Sequence, residues 1–465
     1  MKPTFNLAAI VSLLLFPPLI GLAAAEGVPD ATTLEGRSVS PLQTGESMAP
    51  TQRAILRFDP THISTLRVPE PKELALQQQG LMAVQATITV NFLPAGVVDG
   101  DNCTTWPGPP KAAFIYAANL WASQLQSSVP ITIDACWANN LPSGVLGHGG
   151  ANNFFRNFSG APVADTWYSV PAANALHGSD LDPAQSDIYS AYSSTFSWYF
   201  GTDGNTPPSQ VDFVSVVLHE ITHGLGFLGS MQVSGSQGSW GFGTGSPIIY
   251  DRFTENGSGQ KLLDTTLFSN PSAVLATQLT SGDIYFNGAN ANAGNGGARV
   301  PLYAPVTWQS GSSYSHLAES YNNTPNALMT YSLPNGESIH NPGPVTLGLL
   351  KDVGWTLQSA NSALRLAGLT AVGQIYYTSN LSTWTQVAGQ LNRLQIADLN
   401  HDGQNDLAGL ASNGSIWYTT NLSTWTQVPG ALNQLVAGDL NGDGQADLAG
   451  LASNGSIWYT TNLST

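Results

Sequence analysis

Charge is what this 465-residue chain has least of: Asp, Glu, Lys and Arg make up only 9% of it, against about a quarter in ordinary soluble domains. The shortage is greatest on the basic side, with 14 Lys and Arg against 30 Asp and Glu and a formal net charge of −16. That balance excludes nucleic acid and anionic membrane surfaces as partners. Cysteine is nearly absent, with Cys103 and Cys136 the whole supply. Without close CxxC spacing the pair is a poor source of metal-binding thiolates, and in an exported chain it reads as one disulfide. Closing a loop of that size stabilises by about 3–4 kcal/mol in the chain-entropy picture. Long apolar runs are missing beyond the first 25 residues. There, Lys2, an apolar stretch broken by Pro17-Pro18, and Ala23-Ala24-Ala25 read as a secretory signal over residues 1–25. The stretch is short for a membrane span and no second one follows, so the expectation is a secreted, extracellular protein without membrane insertion.

What the chain does have is a hydrophobic content of 42%, sufficient for real cores in two or three domains. Residues 26–84 are rich in Pro, Gln, Ser and Thr, show little periodicity, and read as a leader or pro-segment. They contain no Cys, so no leader thiolate can silence a metal. Residues 86–93 alternate like a strand, residues 112–125 carry a helical stripe, and residues 131–135 and 188–192 read as further strands. Residues 230–310 are loop-rich and are expected to wrap a site rather than build the core.

The strongest motif is His219-Glu220-Ile221-Thr222-His223. On a helix, positions i and i+4 share one face, so two imidazoles can hold one zinc ion. A carboxylate beside the first can then take a proton from water. The apolar run of residues 211–218 leads into the motif, Ser209 and Asp212 suggest a capping box, and Gly224 and Gly226 suggest the end of the helix. The bland alternative is a core helix with two internally bonded histidines.

A catalytic zinc needs a third protein ligand and an open position. The compact spacing HExxHxxGxxH would put a histidine at position 229, where the chain has Gly229. His316, His340 and His401 follow, and His401 lies inside an acidic loop. Asp251 and Glu255 are carboxylate rivals. His316 stands in Ser315-His316-Leu317-Ala318-Glu319, ahead of Leu328-Met329-Thr330. With Gly226 and Phe227 after the first motif, these segments resemble the leishmanolysin-like metzincins. The resemblance spans roughly residues 86–357 and is carried by the motifs. It implies an α+β metzincin-like zinc peptidase domain over residues 85–357, with zinc on His219, His223 and His316 and Met329 in a turn beneath the metal. It also makes Tyr331, two residues on, a candidate for stabilising the transition state, the alternative being a packed tyrosine. By the same resemblance, residues 188–192 would be the edge strand that pairs with substrate.

The last hundred residues repeat. Asn380-Leu-Ser-Thr-Trp384 returns at Asn421-Leu-Ser-Thr-Trp425. Each unit carries an acidic loop: Asp398, Asn400, Asp402 and Asp406, then Asp439, Asn441, Asp443 and Asp447. Alternating oxygen donors around a glycine turn suit calcium. The loops resemble those of FG-GAP/VCBS repeats, which implies a small all-β, partial propeller-like region over residues 358–465.

Together these readings anticipate a secreted zinc-dependent endopeptidase acting on protein or peptide substrate, with Glu220 as general base. The repeats would offer a surface to a cell-surface or matrix partner. The rival is an adhesion or binding protein with an inactive metallopeptidase domain.

Overall fold

The computed structural model describes residues 45–49, 53–78, 86–358, 366–378, 384–400, 405–441, 445–461 and 463. The signal segment, His401, Asp402 and Asp443 lie outside these residues. The fold is mixed α+β, and among the described residues no sheet closes into a barrel.

The site is organised by one mixed sheet. Its strands are β1 (Ala54–Ile63), β2 (Ile88–Phe92), β3 (Gly96–Val98), β4 (Asp101–Thr104), β5 (Ile131–Ala138), β6 (Val145–Ala151), β7 (Ile188–Ser193) and β8 (Ser332–Asn335). They are ordered β8-β1-β6-β7-β5-β4-β3, and β2 also pairs with β5. The disulfide Cys103–Cys136 joins β4 to β5. Helices α1 (Gly108–Ala122) and α2 (Phe213–Leu225) belong to the same apolar core as the sheet.

Strand β7 is where periodicity predicts it, but its place in the sheet differs from expectation. It lies between β5, to which it is parallel, and β6, to which it is antiparallel. All six of its residues are buried, so it has no free edge to offer a substrate. The composition carries the reason: Ile188, Ala191 and the two tyrosines Tyr189 and Tyr192 suit a strand covered on both faces.

Residues 45–78 also differ from the loose leader expected. Residues Glu46–Met48 pair with Phe154–Arg156, and β1 is inserted between β6 and β8. The pairing partners lie roughly a hundred or more residues away, which local periodicity does not register.

The repeat region consists of antiparallel meanders. One sheet runs through Leu366–Leu369, Gln374–Thr378 and Thr385–Gln390. A second has four strands between Arg393 and Ala431, and a third runs through Gln434–Gly438, Asp447–Leu451 and Ile457–Thr460. These sheets have apolar clusters of their own. Asp406 and Asp447 play matching parts, each accepting the amide seven residues back, from Leu399 at 2.9 Å and Leu440 at 2.8 Å.

No helix among the described residues is long and apolar enough to cross a membrane.

Candidate metal centre

Helix α2 carries the motif, and all thirteen of its residues are buried. Its start is fixed by Asp212 rather than Ser209. Residues Val211–Asp212 form a short ladder with Trp198–Tyr199, which holds the chain extended up to the cap. The Asp212 carboxylate accepts the Ser215 amide at 2.8 Å and the Ser215 hydroxyl at 2.6 Å. Thr206 and His340 complete its shell at 2.9 and 3.0 Å, so His340 is engaged at the cap. The helix ends at Gly226, whose φ of 119° suits glycine. Gly224 lies inside the helix instead of terminating it. A Cβ there would meet Ile188 at 2.6 Å, so its smallness serves packing against β7.

Two glycines of β6 bring the helix close to the sheet. A Cβ on Gly149 would lie 2.8 Å from the Glu220 carbonyl oxygen, and one on Gly147 would lie 3.3 Å from Glu220 Oε1. The motif face of α2 therefore lies directly on β6. Sequence reading missed these positions; a Gly-x-Gly inside an apolar strand is the available signal of close backbone approach.

His219, His223 and His316 converge. Their Nε2 atoms are 2.9 Å apart between His219 and His223, 3.2 Å between His219 and His316, and 3.3 Å between His223 and His316. Each Nδ1 is committed elsewhere. His219 Nδ1 donates to the Leu328 carbonyl at 2.6 Å, His223 Nδ1 to Phe227 at 2.7 Å, and His316 Nδ1 to Ser312 at 2.7 Å. These bonds place the proton on Nδ1 and leave every Nε2 with a bare lone pair. Burial holds the rings neutral, with His219 lowered to about 4 and the other two well below the usual imidazole range. The short Nε2 separations are thus lone pairs facing one another, not hydrogen bonds. A cation resolves that repulsion. Tetrahedral zinc with bonds of about 2.0–2.1 Å would set its ligand nitrogens about 3.3 Å apart, so the donor set and spacing fit.

Glu220 adjoins the triad and is fully buried. Neither carboxylate oxygen has a well-formed hydrogen bond. Burial pushes its carboxyl well above the usual range, with partial opposition from the Leu56 amide. A buried carboxylate left open in this way is costly unless chemistry uses it. Tyr192, also buried, is raised well above the usual phenol range by its own burial and by Glu220.

The other candidates have different employments. Asp251 accepts from the Ser230 and Ile248 amides, both at 2.9 Å, and from the Tyr314 hydroxyl at 3.0 Å. Glu255 pairs with Arg299 at 2.8 Å and Lys261 at 2.9 Å. Gly229 explains the failure of the compact spacing, because a Cβ there would lie 2.0 Å from the Tyr314 ring. Met329 is buried in the turn Ala327–Met329. The carbonyl of Leu328 in that turn holds His219, and that of Met329 accepts the Leu317 amide at 2.8 Å. Tyr331 stacks on Tyr303 with centroids 4.1 Å apart, and its hydroxyl lies 3.4 Å from Glu319. Neither of these contacts involves the triad.

A family model described as SPBPB7E8-like matches residues 179–239, the stretch that carries β7 and α2 with His219, Glu220 and His223. No curated protein matches the chain.

Proposed function

We propose that the chain is a zinc-dependent endopeptidase. The observation that carries this reading is the set of three buried imidazoles whose Nε2 lone pairs converge beside an open, buried carboxylate. His219, His223 and His316 would hold the metal. A bound zinc would supply a Lewis acid that polarises a peptide carbonyl and makes a coordinated water acidic near neutrality. Glu220 takes the proton of the attacking water and returns it to the leaving amine. Burial raises its affinity for that proton, which suits a base that must hold it between the two transfers. The carbonyls of Leu328, Phe227 and Ser312 keep the imidazoles in one tautomer, and Gly147 and Gly149 let Glu220 sit against the sheet.

Casein cleavage by zinc-loaded protein, compared with Glu220→Ala, tests the reading. Loss of cleavage by at least about 100-fold with zinc retained supports it. Equal cleavage by both proteins contradicts it. Zinc binding without cleavage of a broad peptide library would favour the binding-protein alternative. For the repeats, the paired acidic loops support calcium as a ligand. A rise in the melting temperature of the repeat transition on adding calcium is the expected result, and no change would remove that assignment.

A further inference from the structure

Helix α2 and strand β7 meet with their residues in step. A Cβ on Gly224 would lie 2.6 Å from the Ile188 side chain. Glu220 is one helical turn back from Gly224, about 6 Å along the axis. Ser190 is two residues on from Ile188, about 6.6 Å along the strand. Tyr192 follows on the same face of the strand.

The register of β6 against β7 defines the same patch from the other side. Ser190 pairs with Gly149 and Tyr192 with Gly147. Opposed residues of an antiparallel pair put their Cβ atoms on one face, about 4.5–5.5 Å apart. A Cβ on Gly149 would lie 3.0 Å from Glu220 Cβ, and one on Gly147 would lie 3.3 Å from both Glu220 Oε1 and Tyr192 Cδ1. The Glu220 side chain therefore runs along the two glycines with Ser190 and Tyr192 beside it. Tyr189 and Ala191 take the opposite face, with Cys103 and Cys136.

These two neighbours carry hydroxyls that packing does not require. The Tyr192 ring stands among Phe213, Phe114 and Trp106, with centroids 5.4, 5.5 and 6.2 Å away. A phenylalanine would make the same contacts, and an alanine would fit where Ser190 stands. Ser190, Tyr192 and Glu220 are each 0% exposed. Both hydroxyls, like both carboxylate oxygens, make no well-formed hydrogen bond. Burying polar atoms in this state is costly, and here four of them fall in one patch. The Tyr192 phenol registers its surroundings: burial raises it most, Glu220 adds to the rise, and Ser190 opposes it.

We infer that Ser190 and Tyr192 are positioning residues for Glu220, their hydroxyls sharing one enclosed water with Glu220 Oε1. Three polar partners are the usual number for a buried water. Held from behind, the carboxylate keeps its other oxygen for the proton of the attacking water. This role rests on the peptidase reading, while the hydroxyl–carboxylate unit is a separate physical claim.

The test uses the full-length chain with Tyr192→Phe, Ser190→Ala, Glu220→Gln and the Tyr192→Phe/Glu220→Gln pair, all of which preserve side-chain shape. The first readout is denaturant unfolding of metal-free protein. The effects of Tyr192→Phe and Glu220→Gln on the unfolding equilibrium constant should depart from a simple product by at least about threefold. The second readout is cleavage of a quenched unstructured peptide with zinc present. Here kcat should fall about 10–100-fold in Tyr192→Phe and in the same direction in Ser190→Ala, with KM and zinc content unchanged. Coupled stabilities without cleavage in any form would retain the hydroxyl–carboxylate unit and reject the peptidase. Independent stabilities with parent-like kcat would retain the peptidase and overturn the inference. A raised KM at unchanged kcat would overturn it too, since that reports a reshaped groove rather than a misaimed base.

Discussion

The Nδ1 of His219 donates to the carbonyl of Leu328 at 2.6 Å, across 109 positions of sequence. This bond ties the first histidine of α2 to the turn that contains Met329. A hydrogen bond to the far side of a ligating imidazole fixes its tautomer and aim, and losing such support typically costs 10–100-fold in metal affinity. Met329 is fully buried under this arrangement. Met329→Ala should therefore destabilise the fold by about 2–5 kcal/mol through cavity formation. Zinc affinity should fall by about 10–100-fold. Met329→Leu, which keeps the volume, should cost less than about 1.5 kcal/mol. Chemical unfolding and competitive zinc titration measure both effects; equal zinc affinity in all three proteins would remove the turn from the site's support.

Asp212 makes a second prediction. It caps α2 and collects Thr206, Ser215 and His340 in a fully buried cluster. Asp212→Ala removes the cap, at about 1 kcal/mol, and strands buried partners, at about 1–3 kcal/mol more. A total loss of about 2–4 kcal/mol is expected in denaturant unfolding. Ser209→Ala, at the position that the capping pattern favours, should change stability by less than about 0.5 kcal/mol.

Asp187 sets a pH dependence away from the metal site. Burial raises its carboxyl from 3.8 to about 6, despite bonds from Thr132. With the folded value above the unfolded one, the contribution to stability is fully present below pH 3.8 and is lost as pH rises through about 6. The displacement corresponds to about 3 kcal/mol at most. Unfolding free energies of parent and Asp187→Asn, compared at pH 4 and pH 7, should shift in the variant's favour by about 2–3 kcal/mol as pH rises. A constant difference across that range would refute the assignment.

Much of the site was legible because its chemistry is local. His219, Glu220 and His223 lie on one helical turn, and a strongly apolar run flags the helix that bears them. His316 was reachable through the motif around it and through the glycine that stands at 229. The remainder depends on distant pairing. The cap falls on Asp212 rather than Ser209 because a short ladder with Trp198–Tyr199 holds residues 211 and 212 extended. Strand β7 is interior rather than exposed because β6 and β5 flank it, and no pattern within six residues records its neighbours. Residues 54–63 include Pro60 and an irregular polarity, so they read as leader; their partners lie near residues 147 and 332. The Leu328, Phe227 and Ser312 carbonyls belong to the backbone, where residue identity carries no signal.

Zinc-edge X-ray absorption on the full chain, alongside His316→Ala, examines the triad most directly. Three nitrogen donors at about 2.0–2.1 Å are expected in the parent, with one fewer nitrogen and much weaker retention in the variant. An identical coordination shell in both proteins, or one built from oxygen alone, would contradict a metal held by His219, His223 and His316.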